Sequence, residues 1–192
     1  MKPAAGKRAR HAPRGAARAG FALVLEAAEF AADRHRRQRR KDVHATPYIN
    51  HPLALARLLS NEGGVDDPEI LAAALLHDTI EDTETTAAEL RERFGARVAG
   101  IVEEVSDDPD LDYLARKRRQ VEHAASISRE AKLVKLADKT CNLRDVAANP
   151  PREWTLSRRR EYFDWACEVV DRLRGVHPGL EAVFDAAVAG RP

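Results

Sequence analysis

Four side chains stand where helices would ordinarily carry bland residues: His51, His77, Asp78 and Asp138. His77-Asp78 closes the apolar run 70–76, and by itself a polar pair is an ordinary way to end a helix. Asp138 interrupts the largely apolar stretch 131–141, four residues after Val134 and three before Cys141, on or beside its apolar face. A carboxylate there costs several kcal/mol, to order of magnitude, unless a cation or strong donors meet it, and a buried Arg pair is the common solution. His51 sits at a helix start, where a partly exposed first-turn residue is the ordinary case. Taken together, two imidazoles and two carboxylates form a mixed N/O donor set suited to a borderline-to-hard divalent ion. Four protein ligands leave a five- or six-coordinate ion open to water and substrate. Such an ion lowers the pKa of bound water and polarises a phosphoryl oxygen. No thiol takes part, which argues against a structural zinc of the cysteine type.

Two further acids, Glu81 and Asp82, follow Asp78 by three and four residues. If the chain turns there they reach back toward the ion, where they hold the attacking water or protonate a leaving oxygen. The ordinary alternative is an acidic loop ahead of the next helix. A basic run, Arg34, Arg36, Arg37, Arg39, Arg40 and Lys41, precedes Thr46-Pro47-Tyr48 and then His51. As a solvated helix end it needs no function. As part of a site it draws a polyphosphate toward acids that repel it, and it offers Arg and aromatic faces to a base.

The elements that must position these residues read as helices. The first periodic stretch spans about residues 21–39, with Phe21, Val24, Leu25, Ala28, Ala31, Ala32 and His35 on one stripe. Asn50 suits an N-cap with Pro52 in the first turn, and that helix stops at Gly63-Gly64. Asp67-Pro68-Glu69 opens a short apolar helix to His77, and Thr86-Ala-Ala-Glu89 is a capping box for a helix ending at Gly95. Further helices are expected from Val98 to Val105, over 111–125, from the Ser128 cap to before Pro150-Pro151, from Thr155 or Ser157 toward Gly175, and from Pro178 to Ala189. There is no internal repeat, no convincing strand period and no internal linker.

At 192 residues, 44% hydrophobic and 33% charged, the chain is of ordinary single-domain size. No stretch approaches the roughly 20 apolar residues of a membrane span. Cys141 and Cys167 form no CxxC and no disulfide framework, so a reducing, cytoplasmic setting is expected. The net charge of +1 hides an asymmetry. Residues 1–20 hold six basic side chains and no acid, leaving 26 basic against 31 acidic in the rest. The tail is read as disordered, and the mildly acidic remainder argues against a nucleic-acid-binding folded domain. His11, His44, His123 and His177 lack any partner pattern and are read as surface residues.

The ordered set Thr46-Pro-Tyr-Ile-Asn-His51-Pro, Ala73-Ala-Leu-Leu-His77-Asp78-Thr-Ile-Glu81-Asp82-Thr and Leu133-Val-Lys-Leu-Ala-Asp138-Lys-Thr-Cys-Asn142-Leu resembles the HD-domain superfamily. More narrowly it is similar to the small alarmone hydrolases of the RelA/SpoT hydrolase type, including metazoan SpoT homologues. The likeness runs from about Phe21 to about Leu173 and includes the run 35–41 and Glu161-Tyr162-Phe163. It implies an all-α, single HD-domain helical bundle over residues 21–192 behind the disordered N-terminal tail 1–20. Its implied metal ligands are His51, His77, Asp78 and Asp138, usually holding Mn2+, with Zn2+, Fe2+ or Co2+ as alternatives. Glu81 and Asp82 are the implied catalytic acids, and Arg40, Lys41, Thr46, Asn142, Arg158 and Tyr162 the implied nucleotide contacts.

The implied reaction is metal-dependent hydrolysis of guanosine 3′-diphosphate 5′-di- or triphosphate to GDP or GTP plus pyrophosphate. Thr140-Cys141 stands where that pattern carries Leu and an aromatic, which implies an altered pocket wall. Segment 106–117 matches poorly, so no substrate contact is assigned there. Rival readings keep the site and change the substrate, to adenosine 3′-pyrophosphates or the 2′-phosphate of NADPH. A reading of another class is a non-catalytic nucleotide sensor or interaction module. Its mark would be a broken ligand set, and here the set is whole. The expected partner is a small nucleotide, with no membrane and no nucleic acid for the folded part; the sequence leaves the oligomeric state open.

Overall fold

The structure is a computed structural model that describes the backbone of residues 14–192 and the side chains from Arg18 onward. Most of the basic tail, with His11, therefore lies outside the described residues. Within them the chain is helical, with no strand and one isolated antiparallel bridge between Arg39 and Pro47. The elements are α1 (Arg14–Arg34), α2 (Asn50–Arg57) running into a π-helical turn (Leu58–Glu62), α3 (Pro68–Leu76), α4 (Thr79–Asp82), α5 (Ala87–Phe94), α6 (Ala96–Val105), α7 (Tyr113–His123), α8 (Arg129–Ala148), α9 (Leu156–Asp171) and α10 (Pro178–Val188).

Helix α3 lies at the centre because it is apolar all round, and such a helix must be covered on every side. Ile70 and all five residues from Ala72 to Leu76 are buried beneath α1, α2, α6 and α8. Its start is built as the sequence suggests: Asp67 caps it by accepting from the Glu69 amide, and Pro68 occupies the first turn. Thr86, Asp112, Ser128 and Thr155 cap α5, α7, α8 and α9 in the same manner. The Thr86 box is not reciprocal, since the Glu89 side chain pairs with Arg34 of α1 instead.

Two local expectations are corrected. The stripe on α1 is rotated: Ala27, Phe30, Ala31 and His35 are buried, whereas Phe21 and Leu25 are 67% and 54% exposed. The charged residues Arg18, Glu26, Glu29 and Asp33 share one exposed side, Phe21 and Leu25 border it, and the opposite side packs on α3. Gly20 fits this crossing, since a Cβ there would stand 2.9 Å from Pro68 Cγ. Asn50 does not cap α2 but belongs to it, and Ile49 precedes it in helical conformation without a side-chain cap. A turn leads into the helix, with the Asn50 amide donating to Pro47 O and the His51 amide to Tyr48 O, so those donors need no cap.

The π-turn widens α2 just before Gly63. A Cβ on Gly63 would stand 2.7 Å from the Leu59 carbonyl and 2.8 Å from Leu180, so this glycine lets α10 close on the bundle. The core continues through α8 and α9, where Leu133, Leu136, Leu143 and Phe163 are fully buried, past Leu173 just after α9 to Phe184 of α10. Three elements, α2, α3 and α8, bring their polar interruptions to one side of this core.

Candidate functional site

His51 comes from the first turn of α2, His77 and Asp78 from the end of α3, and Asp138 from the middle of α8. The first surprise is burial: His51 is 4% and His77 5% exposed, so His51 is not the partly exposed first-turn residue its position suggests. Neighbouring groups hold each ligand candidate in place. His77 Nδ1 lies 2.9 Å from the Ala74 carbonyl, which fixes its proton there and aims Nε2 into the cleft. His51 Nε2 lies 3.2 Å and His77 Nε2 3.9 Å from the same Asp138 oxygen. One donor atom from each of these three residues falls within 4.8 Å of the others, a group that could hold a metal ion.

Asp78 adjoins the group: its Oδ2 lies 2.9 Å from His77 Nε2 and accepts the Tyr48 hydroxyl. Asp138 also takes the Lys139 ammonium at 3.0 Å and the Asn142 amide at 2.6 Å. Burial opposes its ionisation, but Lys139, His51 and His77 outweigh that and hold its pKa well below the usual range. For His77, burial opposes the imidazolium, yet Asp78 and Asp138 carry the ring up to about 9. Two imidazole nitrogens converging on a stabilised carboxylate suit a divalent ion of the borderline class, so the residues fit the implied metal.

The acids of α4 stand at the mouth of the same cleft, whose volume is about 170 Å³. The Glu81 carboxylate accepts from the Asp107 amide at 3.1 Å. Burial, then the Asp107 charge, raise its pKa. Asp82 is raised by burial and by Asp78. Upward-shifted carboxylates beside a ligand cluster are what proton transfer near neutral pH requires. The Asp82 carbonyl takes Gln38 Nε2 at 2.6 Å, and Gln38 Oε1 lies 2.6 Å from Nδ1 of the buried His35, so the basic loop is tied to α4.

A larger basin of about 570 Å³ opens beside the cleft. Of the six expected nucleotide contacts, Arg40, Lys41, Thr46, Asn142 and Tyr162 line it. Arg40 is braced by Asp145 at 2.6 Å and by Asn142, while the Thr46 hydroxyl is committed to Asp42. Arg158 does not line it. It bonds the Tyr113 hydroxyl and stacks over the Trp154 ring at 5.4 Å, one ring behind the wall. Thr140 and Cys141 line neither cavity. Both side chains are buried in α8.

Sequence reasoning missed Trp154, which forms the basin wall with Tyr162 at a ring separation of 5.3 Å. The signal was available: a tryptophan between Pro150-Pro151 and a helix cap has no helical face to fill. It also gave no role to Lys139 or to Lys135, which read as ordinary charges on α8. Of the histidines taken as surface residues, His44 and His123 are exposed, while His177 is half-buried and caps α10 by accepting from the Leu180 amide. Among the described residues no helix is long and apolar enough to cross a membrane.

Comparison with known proteins identifies relatives of this chain. The model for the HD domain family matches residues 27–164. A Xenopus tropicalis protein named guanosine-3′,5′-bis(diphosphate) 3′-pyrophosphohydrolase MESH1 is 57% identical over 164 residues, covering 85% of this chain and 92% of its own. The Homo sapiens protein of that name is 56% identical over 160 residues, covering 83% and 89%. A solved structure described as a metazoan ortholog of SpoT that hydrolyzes ppGpp superposes with a TM-score of 0.86 at 47% identity, covering 88% of this chain and 96% of that one.

Proposed function

The chain belongs to the HD domain family, and we infer that it is a metal-dependent phosphohydrolase of guanosine 3′-diphosphate 5′-di- or triphosphate. The reaction is the one for which its guanosine relatives are named: pyrophosphate leaves the 3′ position and GDP or GTP remains. The observation that carries this reading is the meeting of His51, His77 and Asp138 under two acids, at the border of an aromatic, basic basin. His51, His77, Asp78 and Asp138 would hold the ion, with Mn2+ first and Zn2+, Fe2+ or Co2+ of similar chemistry. When bound, the ion lowers the pKa of water and neutralises charge on the phosphoryl group.

The chain's own residues do the rest. Trp154 and Tyr162 offer ring faces to the base, and Arg40 and Lys41 offset phosphate charge that the acids of the cleft would repel. Glu81 and Asp82, with raised pKa values, would accept the proton of the attacking water and return one to the departing 3′ oxygen. The new O–P bond forms as the P–O3′ bond breaks. Residues 21–192 would act as one catalytic domain in the cytoplasm, with the end of the basic stretch, from Arg14, joined to it through α1.

The test is product analysis by anion exchange after incubation with ppGpp, with Mn2+, with chelator, and with His77→Ala and Asp78→Ala. Metal-dependent GDP and pyrophosphate are expected from the parent chain. Each variant should lose at least about a hundredfold in turnover and its bound metal, read by elemental analysis. A metal-loaded parent with no turnover of ppGpp, but with turnover of an adenosine 3′-pyrophosphate or NADPH, would replace the substrate.

A further inference from the structure

The cleft holds one cation that the chemistry above leaves unused. Lys135 lies on α8 three residues before Asp138, which places both on one side of the helix. It is only 8% exposed, and its Nζ donates to the Val105 carbonyl at 2.9 Å. The other cations of the cleft have acids: Arg40 has Asp145 at 2.6 Å, and Lys139 has Asp138 at 3.0 Å. Among the described residues no carboxylate pairs with Lys135. An ammonium has three donors, and one carbonyl answers only one of them. Asp107, Asp138 and Glu81 attract the ammonium without pairing with it, burial and Lys139 outweigh them, and an anion entering the cleft would favour its charge.

Its position says which anion. Cleft and basin share Arg40, Tyr48, His51, Asp82 and Asn142, which mark their border. Lys135 lines the cleft but not the basin, as do His77, Asp78, Glu81 and Asp138. With the nucleoside in the basin, a 3′-diphosphate must enter the cleft from that border. Its first phosphorus would then meet His51, His77 and Asp138, and its second would be left for a cation of the cleft that no acid holds. On the reading of the site given above, we propose that Lys135 binds the terminal phosphate of the substrate's 3′-diphosphate and thereby selects a diphosphate over a monophosphate. Lysine suits the task, being a compact point charge that needs no planar partner, and burial strengthens its attraction to a phosphate dianion.

The experiment measures binding and discrimination together. Calorimetric titration of the Mn2+-loaded protein with pyrophosphate, orthophosphate and GDP compares the parent chain with Lys135→Met, Lys135→Gln and Lys135→Arg; chelation of free metal is common to all and cancels. The neutral variants should weaken pyrophosphate at least about tenfold and orthophosphate and GDP far less, with Lys135→Arg restoring part of the loss. In the same variants the ratio of kcat/KM on ppGpp to that on guanosine 5′-diphosphate 3′-monophosphate should collapse. Unchanged pyrophosphate affinity in a variant folded by circular dichroism would overturn the proposal. An equal loss for all three ligands would also overturn it, since that marks a structural role. If Lys135→Met fails to fold, Lys135→Gln against Lys135→Arg makes the same comparison. A parent chain that binds pyrophosphate through Lys135 yet never hydrolyses ppGpp would sink the proposed function instead, so the two failures are distinct.

Discussion

Asp138 carries four interactions on two oxygens, with His51, His77, Lys139 and Asn142, and this explains how a carboxylate survives inside α8. Its surroundings answer the cost that the sequence raised, though with two imidazoles and a lysine rather than an arginine. Glu81 is the opposite case: burial and Asp107 disfavour its charge. Because its folded pKa lies above the unfolded one, the stability it contributes is full below the unfolded pKa and is lost as pH rises through the folded pKa. Glu81 is exposed, so solvent screens much of this, and at neutral pH the ionised side chain disfavours the fold only slightly. Glu81→Gln should raise the Tm at pH 7, with the gain vanishing below about pH 4 where the native acid is protonated. It should also lower kcat by about 10²–10⁴-fold. Thermal scans across pH, paired with turnover, check both; a lower Tm at pH 7 would reject the reading.

Helix α8 is the element on which site and stability meet. Ser128 caps it by accepting from the Ala131 amide at 3.2 Å and donates to Glu104 of α6, while Arg97 of α6 joins Glu130 to Asp67 and Glu69 at the start of α3. The Arg97 contacts are exposed and contribute little each, whereas the cap satisfies helix-end donors. Ser128→Ala should cost about 1 kcal/mol, read as a lower urea midpoint at unchanged slope. Since Asp138 lies well inside α8, metal stoichiometry of the folded variant should stay that of the parent. Helix starts of this kind were legible because a cap is a local act between a side chain and an amide two or three residues on. The entry to α2 was not, because there the turn from Pro47 to His51 satisfies the backbone without a cap.

At the scale of the molecule, the two largest fully buried side chains are Phe163 of α9 and Phe184 of α10, and the two cavities open where α2, α3 and α8 converge. Phe163 is fully buried in α9, one residue after the basin-lining Tyr162. Phe163→Ala should destabilise by about 3–5 kcal/mol, a large part of the total stability of a domain this size. Urea denaturation would measure the loss. Activity per folded molecule should fall as well, because α9 sets the basin wall; a full specific activity at matched folded fraction would contradict this.

Residue order alone determined that the chain is helical, where most helices start, and which four residues and two acids have the chemistry of a metal-dependent hydrolase. Caps, prolines and apolar runs are local signals, and polar residues on apolar faces are anomalies visible without coordinates. Tertiary structure decided the rest. It set the buried face of α1, turned away from Phe21 and Leu25 toward the side opposite Glu26, Glu29 and Asp33. It put Trp154 in the basin wall and Arg158 behind it, though both looked equally available in sequence. It also left Lys135 without an acid while giving one to Lys139, four residues on. Pairing and burial depend on residues far apart in the chain, and only packing α2, α3, α8 and α9 together brings those residues within reach of one another.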